Sequence, residues 1–311
     1  MIHTDKYHQI YAELITKKSK GIIFSYDPLL RKFQYRPFSH GTEKNSLRLL
    51  CGLMRQDLVF YCYGEDEVIT QYEKGRLVDL ERAAQYVYGQ RLPHRKPKMD
   101  GLLSEVLLDM LIQIYEPNAT KLAIRTLFRQ HDNNEIKGYD LTYLTKCNGK
   151  YTLWLGQAKL GKKSYCRDSI HEDLSTKYTP EYFSEQLYFV SDKPQNVTQD
   201  SKDLLELIDE LNFCMGKTSP SERVQALIKL MEDTNVSLKI PCLLSYEYAD
   251  LYEKPELLYQ RLCEEIDNLS SFYSEKNYDS LVLRPEIVFY IFPIISLDEI
   301  RSEKGFYDGL R

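Results

Sequence analysis

Residues 137–159, KGYDLTYLTKCNGKYTLWLGQAK, predict two neighbouring strands joined by a tight turn, and the rest of the chain is interpreted from this hairpin. Aromatic and β-branched residues dominate both runs, and the Asn-Gly pair at positions 148 and 149 is a strong hairpin signal. Side chains two positions apart in a strand point to the same face of a sheet. We therefore expect Gln157 and Lys159 to project together and to share one site.

Length and composition indicate a folded protein. The chain has 311 residues, of which 43% are apolar and 28% charged, and its net charge is −5. An acidic balance argues against coating nucleic acid by bulk electrostatics, although a local basic patch can still bind phosphates. Seven cysteines without a CxxC pair favour reduced thiols over a disulfide framework or a zinc site. With neither a signal pattern nor a bilayer-spanning apolar run, the sequence predicts a cytoplasmic protein without a membrane segment.

Two domains are expected. Residues 1–97 combine short strand and helix patterns and predict a smaller N-terminal α+β region, to which we assign partner docking. Residues 89–98 contain two prolines among several basic side chains, which is typical of an exposed linker. Residues 98–311 then form the second domain, with a helical insertion near 195–235.

The order of elements after residue 100 predicts the fold class. An almost wholly apolar helix at residues 102–115 precedes a strand at 122–128, a turn at 131–134 and the hairpin. Helices, a strand at 238–248, a helix at 256–272 and a strand at 286–292 follow. This order predicts an α/β core with a mixed sheet flanked by helices.

The helix at 102–115 carries one narrow polar stripe, formed by Glu105, Asp109, Gln113 and, just after the helix, Glu116. A carboxylate on a mostly buried helix needs a partner such as a metal, a lysine or water. A solvated stripe at the rim of the core is an equally open interpretation.

Carboxylate and amide oxygens beside a lysine suit metal-assisted hydrolysis of a phosphodiester. Oxygen ligands hold Mg²⁺, which keeps some of its waters and also binds phosphate oxygens. Such an ion lowers the pKa of a bound water and offsets charge in the transition state. Lys159 could orient that water or neutralise the scissile phosphate.

These residues resemble a known nuclease pattern. Glu105 on a helix, Asp140 at a strand and Gln157-Ala158-Lys159 at the end of the next strand look like the PD-(D/E)xK superfamily, which has a restriction-endonuclease-like core. More narrowly, KGYDL at 137–141 and LWLGQAKL at 153–160 resemble the HamA family, the nuclease subunits of the Hachiman antiphage system. The resemblance covers the chain from about residue 98 onward.

The resemblance implies roles for the site residues and a partner. Asp140 would be the main metal ligand, Lys159 the catalytic lysine and Glu105 the helix acid, with Gln157 completing the catalytic set and the ligands of Mg²⁺ or Mn²⁺. HamA-like proteins act with HamB, a superfamily 2 helicase, which restrains the nuclease until aberrant DNA is engaged. The implied activity is cleavage of DNA, and because the sequence contains no base-reading motif we expect little sequence preference.

Gln157 departs from the superfamily pattern, where an Asp or Glu is usual. An amide carbonyl still coordinates Mg²⁺, but the missing negative charge should weaken metal binding. Two alternatives to a DNA nuclease stay open, the first because of Gln157 and the second because phosphodiester chemistry does not identify the sugar. One is a catalytically inactive interaction subunit of the same complex, and the other is an RNase toxin on the same core.

A basic cluster follows the hairpin. Lys162, Lys163 and Arg167 are candidates for contacts with the DNA backbone, where each neutralised phosphate adds a sequence-independent, salt-sensitive contribution. Purely structural roles are also possible for the site itself: Asp140 could cap a turn, and Lys159 could be one of several solvated lysines.

Overall fold

The computed structural model describes residues 3–92, 101–123, 138–191 and 199–310. The N-terminal part begins with α1 (His3–Tyr11), a π-helical turn (Ala12–Thr16) and α2 (Lys17–Ser19). Three strands follow: β1 (Ile23–Ser25), β2 (Leu29–Leu30) and β3 (Gln34–His40). Three helices complete this part: α3 (Ser46–Cys62), α4 (Glu65–Glu73) and α5 (Leu80–Arg91), the last capped by the Asp79 side chain.

The second part opens with the apolar helix α6 (Leu102–Tyr115), β4 (Thr120–Lys121), β5 (Leu141–Cys147) and β6 (Lys150–Gly161). Four helices come next: α7 (Lys163–Lys177), α8 (Pro180–Ser191), α9 (Gln199–Cys214) and α10 (Pro220–Asp233). The chain ends with β7 (Val236–Tyr246), 3₁₀ turns at Ala249–Tyr252 and Pro255–Leu257, α11 (Leu258–Ser274), β8 (Glu286–Ile291) and α12 (Leu297–Arg301). The predicted strand at 122–128 beyond residue 123, and the turn at 131–134, lie outside the described residues.

One mixed sheet organises the molecule, in the order β1-β3-β8-β7-β6-β5-β4 with β2 beside β3. The hairpin strands β5 and β6 are antiparallel, whereas β7 is parallel to both β6 and β8. Asn148 and Gly149 have φ angles of 50° and 76°, the positive values that a tight two-residue hairpin turn requires. The predicted α/β class, with a mixed sheet flanked by helices, is confirmed.

The two faces of the sheet pack against different helices. On β6, Trp154, Ala158 and Leu160 join the core formed by α6 and the N-terminal helices. Leu153 and Leu155, which alternate with them, pack with α7 and α8. Because side chains alternate along a strand, Gln157 and Lys159 lie on the α7 side.

A proline interrupts the sheet next to this site. The pairing of β6 with β7 places Trp154 opposite Lys239 and resumes with Gln157 opposite Cys242. Pro241 lies in the gap, and proline has no N–H to donate to a strand ladder. The two strands therefore lack regular pairing immediately before Gln157.

Strands from both parts of the chain share the sheet. β3 pairs in parallel with β8, so that Gln34 lies opposite Val288. The predicted boundary near residue 97 falls at positions 93–100, outside the described residues, and the division into two domains stays a prediction. In the described part of the chain, no helix is both long and apolar enough to cross a bilayer.

The polar stripe of α6 is buried. Glu105, Asp109 and Gln113 are each less than 10% exposed, and Glu116 forms an ion pair with Arg36. The solvated-rim interpretation is therefore wrong, because the N-terminal helices cover this side of α6.

Candidate active site

Asp140 is tied to the strand that carries the other predicted residues. Its backbone N–H donates to the Gly156 carbonyl at 3.0 Å, and its Oδ2 accepts the backbone N–H of Ala158 at 2.9 Å. Lys159 Nζ lies 4.0 Å from the same carboxylate oxygen, and both side chains are mostly buried. The hairpin thus brings Asp140 and Lys159 to one place, on the α7 side of the sheet.

The closest anionic partner of Lys159 is on α7. Its Nζ lies 2.5 Å from Asp173 Oδ2. Burial lowers the pKa of the Lys159 ammonium, but the carboxylates of Asp140 and Asp173 act in the opposite direction, and the net shift is upward. The ammonium form of Lys159 is therefore favoured, which suits a group that neutralises phosphate charge.

Gln157 is fully buried and bound by a second lysine. Lys177 Nζ donates to Gln157 Oε1 at 2.8 Å, and the same ammonium lies 3.1 Å from Asp173 Oδ1. Gln157 Nε2 has no hydrogen-bond partner in the described part of the chain. Leaving a buried amide donor without a partner costs about 1–3 kcal/mol. The hydrogen bond from Lys177 to Oε1 is therefore the contact that orients this side chain.

Asp173 and Lys177 were not predicted as site residues. Their sequence signal is an acid four residues before a lysine, which on most helices is a solvent-exposed pair. Only the packing of α7 across the sheet places both beside Gln157 and Lys159.

Glu105, the predicted helix acid, lies on the other side of the sheet. Its helix α6 packs against the face that carries Gly156, where Leu108 closely approaches that glycine. Glu105 Oε2 accepts the Tyr61 hydroxyl at 2.5 Å, which ties it to α3. A role as metal ligand stays a prediction for Glu105.

The predicted DNA-binding residues lie at the start of α7. Lys162 is exposed at the N-cap position, while Lys163 forms a 2.7 Å ion pair with the buried Glu265. Arg167 is bound to Asp168 at 2.8 Å, and its guanidinium lies over the Phe272 ring. Of these three cations, Lys162 is the most open to solvent, and their contact with DNA stays a prediction.

The oxygens around Lys159 fit a hard divalent cation in kind. Carboxylates and amide carbonyls are the ligands that Mg²⁺ and Mn²⁺ take, and the site offers Asp140, Asp173 and Gln157 Oε1. Among the residues that the structure describes, no group of three or more His, Cys, Asp or Glu side chains gathers as a metal cluster. The donor set is thus two carboxylates and one amide oxygen, and two ammonium groups balance its charge.

The fold and the site together define a mixed α/β protein with an acid–amide–lysine group on one face of its sheet. The family model HamA matches residues 18–310 of the chain. The chain therefore belongs to the HamA family and is a component of the Hachiman antiphage defence system, which confirms the predicted resemblance. No curated protein matches the chain.

Proposed function

We propose that this HamA-family chain is a metal-dependent DNA nuclease, the effector of its defence complex. The observation that carries the proposal is the 4.0 Å distance between the Asp140 carboxylate and the Lys159 ammonium. Lys159 lies on β6, the strand that also carries Gln157. An acid, an oxygen donor and a cation at such spacing can hold a divalent ion and a phosphate side by side.

The proposed reaction is hydrolysis of a phosphodiester. A water oxygen loses a proton and forms a bond to phosphorus, one P–O ester bond breaks, and the leaving oxygen takes up a proton. Mg²⁺ or Mn²⁺, when bound, would supply Lewis acidity and a water of lowered pKa. Asp140 and Gln157 would hold the ion, and Lys159 would neutralise the scissile phosphate or orient the water.

The substrate and partner follow from the family rather than from the site. DNA is proposed because the Hachiman system acts against phage, and the chemistry of the site is the same for RNA. A HamB-like superfamily 2 helicase is proposed as the partner that restrains the nuclease until aberrant DNA is engaged. We place this activity in the cytoplasm.

Cleavage by matched variants tests the proposal. Supercoiled plasmid, linear duplex and tRNA would be incubated with Mg²⁺ and the natural protein, Asp140→Asn or Lys159→Met. We expect each variant to lose about a hundredfold or more of the DNA cleavage rate, the usual order for removing a group that stabilises transition-state charge, and EDTA to abolish cleavage. Glu206→Gln and Lys202→Met, which change an exposed ion pair on α9, are controls for the loss of one charge.

One observation favours the inactive interaction subunit as the second candidate. Gln157 lacks the usual negative charge, and its oxygen is already bound by Lys177. Equal residual cleavage in the natural protein, both site variants and both controls would remove the enzyme proposal in favour of that candidate. Cleavage of tRNA without cleavage of DNA would instead identify an RNase.

A further inference from the structure

The Lys177 ammonium lies against two side-chain oxygens of the site. It is the last residue of α7, and its ammonium lies against Gln157 Oε1 at 2.8 Å and Asp173 Oδ1 at 3.1 Å. Both oxygens are of the type that a hard divalent ion takes as ligands. The ammonium therefore holds two of the oxygens that such an ion would need.

The side-chain amide of Gln157 has a partner for its oxygen but none for its nitrogen among the described residues. The side chain is fully buried, and Nε2 has no hydrogen-bond partner among the described residues. A buried amide with a structural role would be expected to use both ends. Among the described residues only the oxygen has a partner, and that partner is the ammonium at the end of the flexible Lys177 side chain.

Among the described residues of this site, carboxylate and ammonium charges are equal in number. Asp140 and Asp173 contribute two negative charges, and Lys159 and Lys177 contribute two positive charges. Removing the Lys177 ammonium takes one positive charge away from Gln157 Oε1 and Asp173 Oδ1, which favours the binding of another cation at these oxygens. Gln157 is neutral, and Asp173 is the carboxylate that contacts both lysines of the site.

We propose that Asp140, Asp173 and Gln157 Oε1 form the divalent-cation site, and that the Lys177 ammonium fills this site until a divalent cation displaces it. The proposal rests on the proposed function only in assigning a cation to Asp140, and it adds Asp173 as a ligand and Lys177 as a competitor. Cation binding would then be weak in the resting protein and would require Lys177 to turn away.

Direct binding of Mn²⁺, without DNA, tests the proposal. Free Mn²⁺ would be measured by electron paramagnetic resonance during titration of the natural protein, Lys177→Met and Asp173→Asn. We expect Lys177→Met to bind Mn²⁺ about tenfold more tightly, or better, and Asp173→Asn about tenfold more weakly, because each change removes one unit charge next to the ion. Lys202→Met, which removes the lysine of an i,i+4 ion pair on α9, is the matched control and should change affinity by less than about threefold.

Unchanged or weaker Mn²⁺ binding by Lys177→Met would overturn the proposal, as would unchanged binding by Asp173→Asn. Thermal melting in EDTA would establish that each variant folds. Lys177→Gln, which keeps a donor for Gln157 Oε1 but loses the charge, replaces Lys177→Met if that variant does not fold. Loss of the fold in both would make Lys177 a structural residue and would also overturn the proposal. The Mn²⁺ titration contains no DNA and is independent of the cleavage assay. The expected Mn²⁺ binding, together with no cleavage in that assay, would remove the nuclease function while leaving this cation site in place.

Discussion

At the scale of single residues, Gly156 permits the close packing that surrounds the site. A Cβ atom at this position would lie 3.1 Å from atoms of Leu108, Leu141 and Pro241, which belong to a helix and to both neighbouring strands. We predict that Gly156→Ala destabilises the protein by about 1–3 kcal/mol, the usual cost of overpacking a core. Urea unfolding followed by fluorescence would measure the change.

A second glycine provides the control for that prediction. Gly89 lies on the exposed side of α5, and a Cβ there would have no neighbour within 4 Å. Gly89→Ala should stabilise the protein by up to about 1 kcal/mol, because alanine is the better helix former. Equal effects of the two substitutions would mean that packing at Gly156 is looser than the structure indicates.

The residues of the site differ in how far the sequence could predict them. Gln157 and Lys159 share a face because of the two-residue period of a strand, which is a local property. Asp173 and Lys177 are adjacent to them only through tertiary packing, and a pattern of acid and lysine four apart also fits an exposed helix. Local periodicity therefore predicts one half of the site, and the docking of α7 supplies the other.

At the scale of elements, a buried polar network joins α6 to the N-terminal helices. Asp109 accepts hydrogen bonds from Tyr143 and Gln113, and lies 3.3 Å from Lys121 Nζ. Asp57 and Glu65 are also buried nearby, and Lys121 influences the pKa of both. Burial, followed by the neighbouring Asp109 carboxylate, raises the pKa of Asp57, and Lys121 opposes this shift only in part.

Glu65, the first residue of α4, makes stability depend on pH. Burial raises the pKa of this carboxyl from 4.5 to about 7, although Lys121 partly opposes the shift. Between these pH values the folded protein keeps a proton that the unfolded chain has released. The stabilisation that this proton gives to the folded state is therefore complete below pH 4.5 and is lost as the pH rises through 7. We predict that Glu65→Gln is more stable than the natural protein at pH 8, by up to roughly 3 kcal/mol, and nearly equal to it at pH 5. Urea unfolding at pH 5, 6, 7 and 8 would measure this difference.

Glu43→Gln, in an exposed loop, is the control for that pH series. It should follow the natural protein at every pH, because its carboxyl is not transferred from water on folding. A Glu65→Gln curve parallel to that of the natural protein would show that Glu65 titrates as it does in the unfolded chain.

Several elements with clear end signals were predictable, whereas short helices such as α1 and α4 were not. Asp79 marks the start of α5, and Pro220 lies in the first turn of α10, behind a capping box at Ser219. The short helices α1 and α4 carry many polar residues, and no side-chain cap hydrogen bond marks the start of α4. Their helical form depends on burial against α3 and α6, which the local sequence does not contain.

At the scale of the whole molecule, the order of strands could not be predicted from the sequence. The hairpin follows from a two-residue turn, but β3 and β8 pair across some 250 intervening residues. Such pairing depends on how the side chains on each face of the sheet pack against the helices that cover that face. Residues far apart in the chain thus complete one sheet, including strands on either side of the predicted domain boundary.

This shared sheet predicts a single cooperative unfolding unit. Without β3, the edge of β8 would be unpaired, and without α3 the carboxylates on α6 would lose their cover. We predict that the most protected amides of α3 and of β6 exchange with the same opening free energy, and that this energy falls equally with urea for both. Hydrogen exchange with mass spectrometry on the full chain would measure both elements in one experiment.

A lower opening free energy for α3, insensitive to the urea concentration that opens β6, would instead establish residues 1–97 as a separate unit and support the predicted boundary. Equal values would mean that any partner bound by the N-terminal helices acts on the same folded body as the site around Lys159.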